Sequence, residues 1–275
     1  MIQVEGIFTG GGSITSAPIM GTDFTWTGGD NTCMVLDDGD GNWRTKFLSS
    51  GIFTPLKNMV IDVFLVGGGG PGGKHNSSSK YNHGGGGGGY TKTVRSIVLA
   101  ADTAYQITVG AGGDYSAQSD GGTTSAFGAS VAGGQPGGES PNDRRKGGDG
   151  GSGGGGTNSN TQSDGGAAGG SDGSDGAGAA AYAGKGQGTT TREFGETDGD
   201  LYAGGGGCGN RGAAGDGGGG AGAKSGNAAT PGEDNKGGGG GGSYYAGSAT
   251  SLKGDGASGG SGIVVIRNHR EEAAA

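Results

Sequence analysis

Apolar and polar positions alternate over short stretches at the two ends of the chain and lose any period in between. IQVEGIF (2–8), DFTWT (23–27), CMVL (33–36), WRTKFL (43–48), MVIDVFLV (59–66), YTKTVRSIVL (90–99), TAYQITV (103–109) and GIVVIR (262–267) are rich in β-branched and aromatic residues, several with a period of two. This is the pattern of strands with one face buried. Turn chemistry separates them, as in Asp37-Asp38-Gly39-Asp40-Gly41-Asn42, and no stretch carries the spacing of an amphipathic helix. The pattern predicts an all-β fold, an antiparallel β-sandwich. The strand at 263–267 closes a sheet after a long insertion.

The insertion needs a different account. Of 35 Leu, Ile, Val and Phe residues, only Phe127, Val131, Phe194, Leu201 and Leu252 fall within 110–262. Such a segment either stays disordered or packs without a conventional core. The chain has 78 glycines, gathered into compact blocks at 67–73, 84–89, 147–156, 204–207, 217–222 and 237–242. Individual polar loops such as KHNSSSKYNH and ESPNDRRK separate the blocks, unlike a monotonous flexible linker. Glycine blocks can form polyglycine II helices, extended rods with three residues per turn and about 3.1 Å rise, whose bare backbones approach on every side. The expected organisation is therefore N-terminal strands over 1–42 that include a possible attachment region, a sandwich over 43–109 and 263–268, a polyglycine II bundle over 110–262, and a tail over 269–275. The first glycine hairpin, 67–89, springs from the sandwich.

Chemistry-bearing motifs are sparse. VIDVFLVGGGGPGGKH places Gly68, Gly73 and Lys74 as a phosphate-binding loop would, but His75 stands where Ser or Thr should hold a metal, and no helical pattern follows. In GGGGAGAKS the second glycine is replaced by Ala223 and no strand precedes it. DDGDGNW is better read as a hairpin turn than as a calcium loop. GGSDGSDGAG lacks the apolar position of a calcium-binding β-roll. Cys33 and Cys208 are too few for a disulfide framework, and His75, His83 and His269 have no metal-ligand spacing. Neither a cofactor, a metal, nor an enzymatic function is expected.

The succession GIFTPLKNMVIDVFLVGGGG, GGGGGGY, ITVGAGG, TSAFG and GGSGIVVIR resembles a glycine-rich domain widespread in phage and prophage tail proteins, over roughly 43–268. In fold the resemblance extends to the glycine-rich region of the anaplastic lymphoma kinase ectodomain, and implies a jelly-roll-like β-sandwich that carries the polyglycine II helices. In use it extends to the polyglycine II adhesins that cap tail fibres and meet the host surface through distal loops. The resemblance implies a receptor-binding adhesin of a tail fibre or tail tip. Its partners would be a host-surface glycan or protein and other tail or fibre proteins, with a homotrimer one possible assembly. A structural or ice-binding glycine-rich protein, as in the snow flea antifreeze protein, is the alternative; this chain spends its residues on varied loops instead.

The net charge of −8 and the lack of a basic stripe argue against nucleic acid. The N-terminus MIQVEGIFTGGG shows no secretory pattern, and no run suits membrane insertion, so the expectation is synthesis in the host cytoplasm and residence in the virion. Counting rod crossings outward from Val66 and Val109 and backward from Ile263 makes the loops 74–83, 114–120, 139–146 and 243–253 distal. Their aromatic, His and Arg residues suit surface contact. The candidate receptor-binding residues are His75, Tyr81, His83, Tyr115, Arg144, Arg145, Tyr244 and Tyr245. Between 157 and 236 the direction of each crossing stays open.

Overall fold

A computed structural model describes residues 16–75, 82–138, 146–156, 191–210, 212–245 and 253–270. Twelve strands lie among them: β1 (Phe24–Trp26), β2 (Cys33–Gly39), β3 (Asn42–Phe47), β4 (Gly51–Pro55), β5 (Met59–Val66), β6 (Thr91–Leu99), β7 (Tyr105–Ile107), β8 (Thr124–Ala126), β9 (Ala129–Val131), β10 (Tyr244–Tyr245), β11 (Lys253–Gly254) and β12 (Ile263–Asn268). A five-stranded sheet, β2-β3-β12-β5-β6, faces a three-stranded sheet, β1-β4-β7, and every strand pair is antiparallel. The late strand β12 pairs with both β3 and β5, closing the sheet after the insertion.

Alternation decides which side chains meet between the sheets. On β3, Trp43, Thr45 and Phe47 point inward and are buried, while Arg44 and Lys46 point to the opposite face. The inward set joins Phe24, Phe53, Ile61, Val63, Leu65, Ile107, Val264 and Ile266 in one core. Phe47 and Phe53 join the sheets edge to face, with ring centroids 5.5 Å apart. The DDGDGN segment is the predicted hairpin turn, with Asp40 and Gly41 both at positive φ (53° and 77°), the geometry that lets a two-residue turn follow strand twist.

β4 is a strand that the pattern did not predict. GIFTP is short, bounded by glycine and proline, and those residues read as punctuation; in the fold it is the central strand of the smaller sheet. β8 and β9 form a hairpin beside β7, bridged just past the end of that strand by Thr108 and Ser125 and turned by Phe127 and Gly128, that adds Ala126 and Val131 to the core.

The outer face of the larger sheet is covered by residues 191–203, from within the expected bundle. Phe194, Tyr202 and Ala203 pack on Phe64, Val66, Ile263 and Val265. Two of the insertion's rare apolar residues, Phe194 and Leu201, lie in this cover. Around its apolar centre runs a buried ionic rim. Glu193 is fully buried and accepts from Arg44 (2.8 Å), Lys46 (2.9 Å) and the Tyr202 hydroxyl (2.6 Å).

Among the described residues the glycine segments form neither helix nor extended ladder, and polyglycine II helices are not evident as elements in their own right. Their contacts nevertheless repeat every three residues. Within 84–89, methyl groups built on Gly84 and Gly87 would strike Lys146 and Asp149, those on Gly85 and Gly88 would strike Gly206 and Ala203, and those on Gly86 and Gly89 would strike Gly70 and Gly67. The N–H groups repeat likewise, Gly85 and Gly88 donating to Gly155 and Ser152, and Gly86 and Gly89 to Gly240 and Gly237. With the Gly87 N–H donating to Gln135, this one segment touches six others: 67–73, 133–138, 146–151, 152–156, 203–207 and 237–242. A Cβ at Gly85 would lie 1.9 Å from a carbonyl oxygen, which no real side chain tolerates.

Candidate functional site

The rods fix where the chain reverses. Segment 67–73 leaves the sandwich at Val66, and 84–89 returns beside it, Gly86 opposite Gly70 and Gly89 opposite Gly67. At the far end the Gly73 N–H donates to Gly84. Segments 133–138 and 146–150 form a second such pair. The Gly138 N–H donates to the Lys146 carbonyl at 2.8 Å, so the chain departs and returns at one place. Segments 237–242 and 254–262 form a third, joined at the far end by the pairing of β10 with β11.

Directions left open in the sequence are decided by the same contacts. Segment 203–209 runs outward, since Ala203 lies at Gly88 and the Gly209 N–H donates to His83. Residues 212–217 return along it, from Cys208 back to Gly204. Then 219–223 runs outward again and 227–233 inward, the Asn227 carbonyl lying against Gly254 and that of Glu233 against Gly260. The described residues flanking the reversals, 73–75 with 82–84, 138 with 146, 209–210 with 212 and 243–245 with 253–254, therefore lie with the turns at 114–120 and 224–227 at one end of the bundle, away from the sandwich.

His75, Tyr115, Tyr244 and Tyr245 lie at this end, all partly exposed. Lys74 Nζ donates to the Ser116 carbonyl (2.8 Å) and stands 6.0 Å from the Tyr115 ring centroid. His75 Nδ1 lies 3.6 Å from Asp255, and Lys253 Nζ sits 4.9 Å above the Tyr245 ring. The Tyr245 N–H donates to Asn82. Burial raises the Tyr115 hydroxyl above its ordinary pKa. Among the described residues, His75 Nδ1 and Gln118 Oε1 are buried with no hydrogen-bond partner.

His83 corrects the expectation of a surface contact. It is 1% exposed, and its Nδ1 lies 3.0 Å from Ser243 Oγ, joining the first hairpin to the last beneath the loops. A histidine beside a glycine run reads as a loop tip, but the rod begins one residue later and carries it inside. Tyr81, Arg144 and Arg145 lie outside the described residues, as do the strand expected at 2–8 and the GGSDGSDGAG stretch at 169–178.

Sequence spacing gave no sign of a Ser–His–Asp set on the outer face of the larger sheet. Ser96, at a β-bulge with φ 56°, places its Oγ 2.9 Å from His269 Nε2, and His269 Nδ1 lies 2.7 Å from Asp62. The same Oγ is only 3.3 Å from Nδ1. A bond to the Nε2 lone pair lies in the ring plane and points away from the other nitrogen, so this hydroxyl sits over the ring and is not aligned for proton transfer. Asp62 is fully buried and also accepts from Arg267 Nε and the Ser96 N–H, both at 3.1 Å. Burial alone would raise its pKa, but the hydrogen bonds from His269, Ser96 and Arg267 hold it below the usual carboxylate range. These contacts tie residues 267–269 to the sheet.

The cysteines offer no poised nucleophile. Burial pushes the Cys33 thiol up to about 12, and Cys208 is fully buried. Among the described residues no group of three His, Cys, Asp or Glu side chains could hold a metal ion, and no helix is long and apolar enough to cross a membrane.

Residues 48–269 match the family model of a glycine-rich domain. A search of curated proteins found no match.

Proposed function

The chain belongs to the glycine-rich domain family, and from that premise we propose that it is a receptor-binding adhesin of a phage tail fibre or tail tip. In this reading the glycine rods have polyglycine II geometry, supported by the three-residue period of their contacts. They form a stiff scaffold that holds loops against a host-surface glycan or protein. The observation that carries the reading is the gathering of six chain reversals at one end, with tyrosines, lysines and a histidine set on closely packed backbone. Aromatic and cationic side chains on rigid supports give large contact area at low entropic cost. The opposite end, where β1 and β2 join the sandwich, is left to face other tail or fibre proteins.

The test replaces 76–81, 139–145 and 246–252 together with Gly-Ser segments of equal length, with His75, Tyr244 and Tyr245 changed to alanine, in a fluorescently labelled chain. The unaltered chain is expected to bind cells of a susceptible bacterial strain saturably, and the replacement to abolish binding with the melting temperature retained. Asp40→Asn, which keeps the turn chemistry at the opposite end, is expected to change neither. Undiminished binding by the triple replacement would sink the proposal.

A further inference from the structure

On the flank of the bundle, just below the reversal at 224–227, lies an open cavity of about 700 Å³. Its volume is within the roughly 300–1,000 Å³ of small-molecule sites. Glycine backbone and the methyl groups of Ala213 and Ala221 line one part, and Lys224, Ser225, Asn227 and Thr230 the other. Among the described residues, the lining thus includes one cation, two hydroxyls and an amide, and no carboxylate or aromatic ring, in a chain of net charge −8.

The polar side is preorganised. The Asn227 N–H donates to the Lys224 carbonyl at 2.7 Å and the Lys224 N–H returns a bond to Asn227 at 3.2 Å, closing a tight turn around Gly226, whose φ of 73° suits glycine. Asn227 Nδ2 donates to the Ser225 carbonyl at 3.3 Å, which leaves Oδ1 to accept from a ligand. Thr230 Oγ1 accepts the Ala221 N–H at 2.7 Å, leaving its hydroxyl proton to donate. Donors and acceptors therefore stand on hydrogen-bonded backbone at one rim, beside the alanines and glycines of the lining.

We propose that this cavity is a subsite for an acidic saccharide, a sugar ring bearing one carboxylate. The carboxylate pairs with Lys224, the ring hydroxyls bond to Ser225, Asn227 and Thr230, and the C–H face of the ring rests on the alanine and glycine wall. A neutral sugar leaves the cation without a partner. Inorganic phosphate satisfies Lys224 but neither fills the volume nor uses the wall. The proposal rests on the adhesin reading only for the origin of the saccharide, since binding is measurable on the purified chain alone.

The experiment titrates the full-length chain with a disaccharide ending in glucuronic acid, its neutral glucose counterpart and inorganic phosphate, following backbone amide NMR shifts. Expected are saturable shifts confined to 212–213 and 221–230 with the uronic acid, and affinity about tenfold lower for the neutral sugar, the size of one charge-assisted hydrogen bond. Lys224→Ala should erase that difference, and Asn227→Ala should weaken both sugars. No saturable shift with the uronic acid, unchanged binding in the Lys224→Ala/Asn227→Ala double variant, or phosphate binding as tightly as the uronic acid would each overturn the subsite. Loss of the subsite with the loop replacement still abolishing cell binding would leave the adhesin reading intact. Disaccharide binding by a chain whose loop replacement still binds cells would retain the subsite and remove the adhesin reading.

Discussion

In the sandwich the fully buried residues are large, among them Trp43, Phe47, Phe53 and Phe64, whereas in the rods they are glycines such as the unbroken run Gly84–Gly89. The first region gains stability by removing apolar side-chain area from water, at about 25 cal/mol per Å². The second has almost no such area to remove. It relies on N–H···O bonds between neighbouring rods and on Cα–H···O contacts of perhaps 0.5–1 kcal/mol each, summed against the high ordering entropy of glycine. A side chain that stabilises one region is therefore an obstacle in the other. Many of the rods' hydrogen-bond partners lie on rods distant in sequence, as Gly86 donates to Gly240 and Gly69 to Gly260.

The sharpest way to break this contrast is to add atoms to the bundle and remove them from the core. Gly239→Val puts a branched Cβ where the Gly86 carbonyl lies 2.1 Å away, and Gly87→Val does the same 2.1 Å from the Asp149 carbonyl. Both are expected to cost at least as much as Phe47→Ala, about 3–5 kcal/mol, and to lower the melting temperature accordingly. Unchanged melting of both valine variants would remove the case for backbone packing.

A smaller effect is expected where the two regions join. Glu193→Ala leaves Arg44 and Lys46 without their buried partner, a change of about 3 kcal/mol for a fully buried pair. The cost is less here, because Arg44 is a quarter exposed and can regain water (side-chain exposure 26%). Chemical denaturation should show the loss, and Glu193→Gln, which still accepts a hydrogen bond, should lose less. Equal losses would mean that packing, not charge, holds the cover in place.

The smallest and most graded effect is that of pH, and it should fall on the sandwich side. Burial opposes ionisation of Asp62 and Asp38, yet His269, Ser96 and Arg267 around the first and Arg44 and Arg270 around the second hold both below the ordinary carboxylate pKa. Lys46 lowers Asp200, and Lys57 lowers Asp23. A depressed folded-state pKa gives stability that is present above the unfolded value, near 4, and is lost as pH falls through the folded one. Melting temperature should thus be level from pH 7 to about 5 and decline below 4, with a shallower decline in Asp62→Asn. A decline beginning above pH 6 would contradict this assignment.

The sandwich was legible because its signal is local. Alternation placed β2, β3, β5, β6 and β12 within a few residues, and the DDGDGN turn was readable from the need for positive φ. β4 escaped because a five-residue strand ending in proline resembles a turn until two neighbours pair with it. At the candidate site, rod counting brought His75, Tyr115, Tyr244 and Tyr245 to one end, since outward and inward runs must alternate whatever their contacts. His83 was misjudged because exposure depends on where a rod begins, and glycine runs carry no mark of that. Lys224 and Asn227 drew no notice as a pair because the cavity beside their turn is completed by residues 212–213 of a separate rod.

Composition and order alone determined that this chain would contain two kinds of packing, since apolar residues gather at its ends and glycine fills its middle. Tertiary structure alone decided which rod touches which, where Phe194 and Tyr202 would fold back onto the sheet, and which charges the cover would bury. The physical reason lies in the glycine itself. A side chain announces its face by its chemistry, whereas a residue without one takes its orientation wholly from its neighbours.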